Sequence, residues 1–430
     1  MLSGNHSQAL GVALFTVLAT GAVASTPGPG VQPGRHHSAR NLQATEAIVR
    51  WNAIAFDVVA TGPFSPPRET RAMAMVSAAV YDAVMSITGE YDPYIARVRA
   101  TRDASIEAAV TAASHHVLVA LYPKAAPALD VLRDSVLSAL GESRAREDGT
   151  QVGRLAAIAV LGRRAGDRAK DVATYAPSPD HGVWAPTPPR FVPALEPAWG
   201  RVRPFLLDSG SQFRPGPPPR AGSKPYRTDY DEIVVIGSSS SATRTPDQTE
   251  AGRFWVATAP PLWNQVVRQL SLAQALSPSE AARAFLVLNL AGADAMIAAW
   301  DAKYTYNQWR PVTAIRFRGH NHTGPTDSLW TPLIVTPPFP DYPAGHTAYA
   351  GAAERVLAAL FGDTPRTLSI ASASASGKVR HYSSFAEIAE EVTNARVWAG
   401  VHWRTSSTAG RALGRMIGDW ALVRAPGPIR

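Results

Sequence analysis

The chain of 430 residues contains no cysteine. That absence removes thiol nucleophiles, zinc–thiolate centres and disulfides together, and leaves core packing alone to hold the fold. Concentrated charge is also missing. The net charge of +8 comes from 42 basic against 34 acidic residues, spread without a Lys/Arg run of the kind that marks a nucleic-acid surface. Nucleic acid is therefore not an expected partner, and a small anionic ligand fits the balance better. G-x-S-x-G, G-x-x-x-x-G-K-[ST] and H-E-x-x-H are all absent, which removes the common serine-hydrolase, phosphate-loop and zinc-helix signatures. Long apolar runs without charge are scarce too. The one that stands out, "LGVALFTVLATGAVA" over residues 10–24, ends in Ala-Val-Ala before Ser25. It is expected to be a signal peptide over 1–24, which implies a secreted or periplasmic protein. The segment before it, "MLSGNHSQ", lacks Lys and Arg, so an N-terminal anchor stays open as the alternative.

What is present is a large hydrophobic fraction, 46%, with 11 Trp, 12 Tyr and 12 Phe, enough for one big core or two smaller ones. Residues 25–44 are rich in Gly and Pro without hydrophobic period and read as a disordered spacer. From 45 to 175, stretches such as "PPRETRAMAMVSAAVYDAVMSI" and "ASIEAAVTAASHHVLVALY" carry helical period and predict an N-terminal helical bundle. Residues 176–245 are too proline-dense for regular structure and predict a connecting segment draped over the surface as a lid. Helical period returns over 246–430. There, "PSEAARAFLVLNLAGADAMIAAWDAKY" is apolar on nearly every side, as a helix in the middle of a bundle must be. No segment sustains the alternation of a strand. The predicted fold is all-α, two groups of helices in one large domain.

Three segments in the last third place cations and histidines in apolar surroundings. In "KYTYNQWRP", Lys303 and Arg310 stand seven residues apart, about two helical turns. Pro311 puts Arg310 at the end of the helix or just past it. Burying such a pair without an anion is costly. In "PPFPDYPAGHTAYAGAAERVLAALF", Pro343 suits the first turn of a helix, and Gly345 leaves its backbone N–H open at a terminus that attracts anions. His346 follows in that first turn. In "ARVWAGVHWRTSSTAG", Arg396 and His402 are six apart and would not share a face of a continuous helix, but Ala399-Gly400 permits a break. His115 and His116 lie within a helical stretch and read as core or surface residues; His320 and His322 read as loop residues.

The ordered set K-x6-R-P, P-x-G-H and R-x5-H resembles the signature of the vanadium-dependent haloperoxidases and the type 2 phosphatidic-acid-phosphatase superfamily. "RAMAMVSAAVYDAV" and "NLAGADAMIAAWDAKYTYNQWRPVTAI" are similar to the bacterial haloperoxidase branch. The resemblance implies helical bundles of that kind around an oxyanion site for vanadate, or phosphate in the same place. It implies that Lys303, Arg310, Arg396 and the N–H of Gly345 bind the oxyanion. His402 would be the metal ligand to vanadium, or the nucleophile of a phosphatase, and His346 the acid–base group. The partners implied are hydrogen peroxide, a halide and a small organic acceptor, with Trp300 and Phe339 on the halide side. The alternatives within the superfamily are a secreted acid phosphatase and a weak oxyanion-binding relative. Two positions depart from the family pattern. Ala344 stands where a serine usually hydrogen-bonds the oxyanion. Ser406 stands where an aspartate usually orients the axial histidine, and its presence favours a passive vanadate ligand over a phosphatase nucleophile.

Overall fold

The computed structural model describes residues 39–430 apart from Phe64, Pro179, 318–326 and Arg430. The expected leader at 1–24, residues 25–38 of the expected spacer, and His320 and His322 lie outside the described residues. The first helix, α1 (Ala39–Ala60), starts inside the span expected to be spacer. It is followed by α2 (Pro66–Thr88), α3 (Ile106–Leu121), α4 (Ala126–Ala139) and α5 (Arg144–Arg164). After a long connection come α6 (Lys224–Ile236), α7 (Pro246–Phe254), α8 (Ala259–Ala273), α9 (Pro278–Tyr306), α10 (Pro311–Phe317) and α11 (Gly345–Phe361). A hairpin of β1 (Leu368–Ser372) and β2 (Lys378–Tyr382) precedes α12 (Phe385–Trp398) and α13 (Arg404–Arg424). The hairpin is the departure from an otherwise all-helical fold. Its first strand, "LSIAS", does alternate, with Leu368, Ile370 and Ser372 buried, but five residues are too few to stand out as a period.

The axis of the molecule is α9. Ser277 caps its first turn, accepting from the N–H of Glu280 while the Glu280 carboxylate accepts from the N–H of Ser277, a reciprocal capping box with Pro278 at the first position. Its 29 residues extend about 43 Å. The helix is long and apolar enough to cross a membrane, but 94% of its apolar window is buried inside the protein, which makes it a core helix. The helix α2 packs on it from the N-terminal group, and α11 and α13 pack on it from the C-terminal group. Both groups thus share one hydrophobic cluster, which includes Met73, Val84, Leu286, Tyr349 and Leu413.

The connection between α5 and α7 is not a loose drape. Trp184 and Trp199 are buried, Trp184 N–H donates to Asn307 at 2.6 Å and Leu195 N–H donates to Pro338 at 2.8 Å. The Asp294 carboxylate in α9 accepts the N–H groups of Phe205, Leu206 and Leu207 at 2.7–2.9 Å. One helix, α6, does form within the span 176–245 expected to lack regular structure, with Pro225 in its first turn; before it the proline-dense backbone makes only a single helical turn at Trp199–Arg201, so side chains and scattered backbone bonds do the anchoring.

The contact that positions the site is between α11 and α13. A Cβ on Gly414 would lie 2.0 Å from the carbonyl oxygen of Ala348, and one on Gly351 would lie 2.2 Å from that of Arg411. The two backbones therefore touch with nothing between them. Replacing Gly414 with Ala is expected to force the helices apart and cost on the order of 1–3 kcal/mol. Urea denaturation of the variant would measure it, and an unchanged midpoint would contradict the close contact.

Candidate functional site

The helix α9 ends where Asn307 adopts a left-handed conformation, φ 50°. The chain then runs through Gln308 and Trp309 to Arg310, immediately before α10. Lys303 and Arg310 are thus on either side of a turn, and both are fully buried. Lys303 Nζ donates to the carbonyl oxygens of Pro340 and Asp341, each at 2.8 Å. Arg310 Nε donates to Phe339 at 2.8 Å and Nη1 to Val401 at 2.6 Å. Phe339 lies against both cations, 5.1 Å from Lys303 Nζ and 4.9 Å from the Arg310 guanidinium carbon, and tilts against Trp300.

The segment 337–344 leads into α11. Its helix starts at Gly345 with Ala344 at the cap position, so Pro343 lies one residue outside the cap rather than in the first turn. Ala344 offers no side-chain cap, and its N–H donates to the carbonyl of Ser406 at 3.0 Å. Gly345 and His346 occupy the first turn, where N–H groups have no intrahelical acceptor. A Cβ at Gly345 would come within 3.2 Å of the Trp300 ring and 3.4 Å of Met296, so a side chain there would crowd this wall.

Arg396 lies in the last turn of α12, and its Nη1 donates to the carbonyl of Trp255. The helix stops at Trp398, Gly400 takes a φ of 75°, and α13 begins at Arg404. A side chain on Gly400 would also strike the carbonyl of Gly237, 2.3 Å from the Cβ position. This break carries His402 back toward Arg310, whose Nη1 lies 3.1 Å from its Nε2 and 3.3 Å from its Nδ1.

The residue that sequence reasoning missed is Asp341. Its Oδ1 is 3.0 Å from His402 Nδ1 and 3.5 Å from Arg310 Nη1, and the side chain is fully buried. Ser406, at the position expected to face the histidine, is 3.4 Å from Nδ1 and donates instead to the Asp341 carbonyl at 3.0 Å. The carboxylate absent from position 406 is therefore supplied from another loop. The expected bias against a well-oriented nucleophile, drawn from Ser406 alone, does not hold. The sequence signal available was an acid inside "PPFPDYPAGH", two residues before Pro343.

The electrostatics follow from burying three cations against one carboxylate. Burial, then Arg310, holds the Lys303 amine well below its ordinary range. Burial pushes Arg310 down to about 10 and Arg396 down to about 9. Burial lifts Asp341 to about 6 despite the pull of Arg310 and Lys303. Both histidines are held well below their ordinary range, His402 by burial and then Arg310, and His346 by burial and then Arg396. The Asp341 carboxylate does not offset that for His402, so His402 is neutral near pH 7. The hydrogen-bond network then assigns the proton to Nδ1, donating to Asp341, and leaves the Nε2 lone pair toward Arg310. His346 Nε2 is 3.1 Å from the carbonyl of Ala257, which assigns its proton to Nε2 and its lone pair to Nδ1. Arg310 Nη2, Arg396 Nε and Asp341 Oδ2 are buried with no hydrogen-bond partner among the described residues.

Three cations, two with unpartnered donors, a helix N-terminus and a bare imidazole nitrogen fit a tetrahedral oxyanion such as vanadate or phosphate. Among the described residues no cluster of His, Cys, Asp and Glu suits a divalent metal ion. His115 is apart from this set, with Nε2 2.8 Å from Asp130 Oδ1. A cavity of about 510 Å³ opens onto His346 and Arg396.

Comparison with known proteins points the same way. The family model described as the VCPO second helical-bundle domain matches residues 283–429. The vanadium chloroperoxidase of Curvularia inaequalis is 25% identical over 286 residues, which cover 50% of this chain and 47% of that protein; the match spans about half the length of that relative. Among solved structures, a bacterial vanadium-dependent iodoperoxidase superposes with a TM-score of 0.78 at 24% identity, covering 91% of this chain and 98% of that one. A bacterial vanadium-dependent chloroperoxidase in its holo form gives 0.67 at 17%, covering 84% and 92%. The chain resembles the vanadium-dependent haloperoxidases in sequence, and its helical-bundle fold is theirs.

Two measurements test the electrostatics. Placing an anion among the cations removes the penalty on the charged form of Lys303 and so raises its pKa toward the ordinary value; binding must take up protons. Calorimetric titration with sulfate at mildly alkaline pH, in buffers of different ionisation enthalpy, is expected to show that uptake, and identical heats would contradict it. Asp341→Asn leaves the buried Arg310 and Arg396 without a counter-charge and removes the group that raises the Lys303 pKa. It is expected to cost the anion-free protein about 3–5 kcal/mol and to enlarge the rise in melting temperature on adding sulfate. A variant as stable as the parent would show that the carboxylate does not balance the cations.

Proposed function

We propose that the chain is a vanadium-dependent haloperoxidase that oxidises halide with hydrogen peroxide at a vanadate bound through His402. One observation carries this reading: three buried basic side chains and a single carboxylate surround a neutral imidazole whose Nε2 lone pair faces Arg310 Nη1 at 3.1 Å, a contact that a ligand at Nε2 would replace. When bound, vanadate acts as a Lewis acid that activates peroxide toward halide.

The chain's own residues do the rest. Asp341 accepts from His402 Nδ1–H, which fixes the ring and raises the basicity of Nε2. Lys303, Arg310 and Arg396 neutralise the oxyanion, and the N–H of Gly345 adds a donor on the helix axis. Ala344 contributes no hydroxyl, a loss of about 1.5–3 kcal/mol relative to a serine that hydrogen-bonds a charged oxygen. His346, neutral and with its lone pair on Nδ1, would serve as the group that takes up and returns a proton beside the oxyanion. Phe339 and Trp300 cover the cations on one side and keep water from them, which strengthens their field. A single observation, the Asp341–His402 pair, favours a second reading, acid phosphatase chemistry through a phosphohistidine, since a carboxylate also activates a nucleophilic imidazole.

The test is reconstitution with orthovanadate, followed by halide oxidation with peroxide, beside phosphate-ester hydrolysis without vanadate. Hydrolysis alone would reverse the assignment. The histidines are expected to fail differently. His402→Ala should lose vanadate affinity along with turnover, whereas His346→Ala should hold vanadate and turn over slowly. The reverse pattern would exchange their roles.

A further inference from the structure

The short segment 255–257, between α7 and α8, meets the site twice through its backbone. The Trp255 carbonyl accepts from Arg396 Nη1, and the Ala257 carbonyl is 3.1 Å from His346 Nε2. Two carbonyls of one turn therefore set how a buried cation is aimed and which nitrogen of a histidine carries the proton. Backbone between two helices does not hold such carbonyls in place by itself. What holds this one comes from α12 and from the hairpin. The indole of Trp255 is fully buried, and its Nε1 donates to Glu391 Oε1 at 2.8 Å. Glu391 and Arg396 are both on α12, so that helix grips Trp255 at two points, the carbonyl through Arg396 and the indole through Glu391. The hairpin in turn grips Glu391. From β2, Tyr382 Oη donates to Oε1 at 2.7 Å, and Arg380 donates to Oε2 through Nη2 at 2.7 Å and Nε at 3.1 Å. The turn after β1 completes the hold: Ala257 N–H donates to Ser374 Oγ at 3.1 Å, and Ser372 Oγ donates to the Phe254 carbonyl at 2.7 Å. With both carboxylate oxygens and the indole N–H engaged, the network has one arrangement.

We propose that Trp255 and Glu391 are positioning residues for the acid–base side of the site, and that the hairpin serves to clamp 255–257 so that Arg396 and His346 keep a single orientation. Neither residue touches the oxyanion; each acts through a carbonyl that the site uses. The inference rests on the haloperoxidase reading for the reaction it supports, but not for the orientation it assigns.

Three variants of the full chain test it. Trp255→Phe keeps an aromatic ring and deletes the donor, Glu391→Ala deletes the acceptor, and Glu391→Gln keeps an Oε1 acceptor for Trp255 and Tyr382. The control is Trp51→Phe, which deletes a buried indole hydrogen bond of the same kind, 3.0 Å to Thr111 in the N-terminal helix group. Nitrogen chemical shifts of labelled histidine, with His346 assigned by His346→Gln, report the tautomer without vanadate. The parent is expected to show His346 protonated at Nε2, and Trp255→Phe and Glu391→Ala a mixture of both tautomers. Vanadate affinity, by calorimetry, should fall about tenfold or more in these two variants, return most of the way in Glu391→Gln, and stay at the parent value in Trp51→Phe whatever its melting temperature. Should Glu391→Ala not fold, Trp255→Phe decides. A parent His346 protonated at Nδ1, a control that shifts tautomer and affinity as much as Trp255→Phe does, or a Glu391→Gln no better than Glu391→Ala would overturn the proposal. The expected shifts in a protein that oxidises no halide would uphold the clamp and overturn the haloperoxidase reading instead.

Discussion

The interaction on which the rest depends is the burial of Lys303, Arg310 and Arg396 around one carboxylate, Asp341. Removing a guanidinium or ammonium from water is costly by several kcal/mol per ion after relaxation, and one carboxylate cannot balance three such groups. The fold answers with backbone. Carbonyls of Phe339, Pro340, Asp341, Val401 and Trp255 all turn toward these side chains. The proline-dense segment 337–343 supplies three of them, from Phe339, Pro340 and Asp341, for a physical reason. Backbone that forms neither helix nor strand has carbonyls to spare, so a stretch that looks unstructured in sequence becomes the lining of the site.

This organisation also explains why the helical framework is so tight. Carbonyls arranged around cations are useful only if they stay in place. The α9 axis is capped at its start, ended by a left-handed residue, and packed by both helix groups. Asp294 ties the connecting segment to the same helix through three N–H donors, and Leu195, from that segment, accepts from Trp300 Nε1 and Tyr304 Oη at 3.2 and 2.7 Å. The wall that carries Trp300 and Phe339 and the wall of the apolar cavity are therefore parts of one construction.

Much of this was legible in the chain. The apolar period of α9 showed a core helix because no polar face interrupts it, and Lys303, Arg310, Arg396 and the two histidines stood out because such residues are conspicuous in apolar text. Asp341 was not legible. An aspartate between prolines is ordinary turn chemistry, and only three-dimensional return of the chain at Gly400 sets it against His402. Position 406 misled for the complementary reason: spacing along one helix was the expected source of the carboxylate, while the protein takes it from a loop 65 residues earlier. The proline-rich segment is anchored more firmly than its composition suggests, because Trp184 and Trp199 are buried. Its role as a cavity wall depends on residues 187–195 meeting 334–339, a pairing that no local pattern encodes.

The contact between α11 and α13 has an electrostatic meaning beyond packing. Gly410 meets Ala344 and Thr347, Gly414 meets Ala348, and Gly418 meets Ala352, so the partner numbers rise together and the two helices run in the same direction. Parallel neighbours align their dipoles, an unfavourable arrangement that bundles usually avoid by alternating up and down. Here both positive ends arrive at one place, Gly345 on α11 and Arg404 on α13, with His402 just ahead of the latter. The glycine contact thus fixes two partial positive charges beside three full ones, and a bound oxyanion turns their mutual repulsion into a shared attraction.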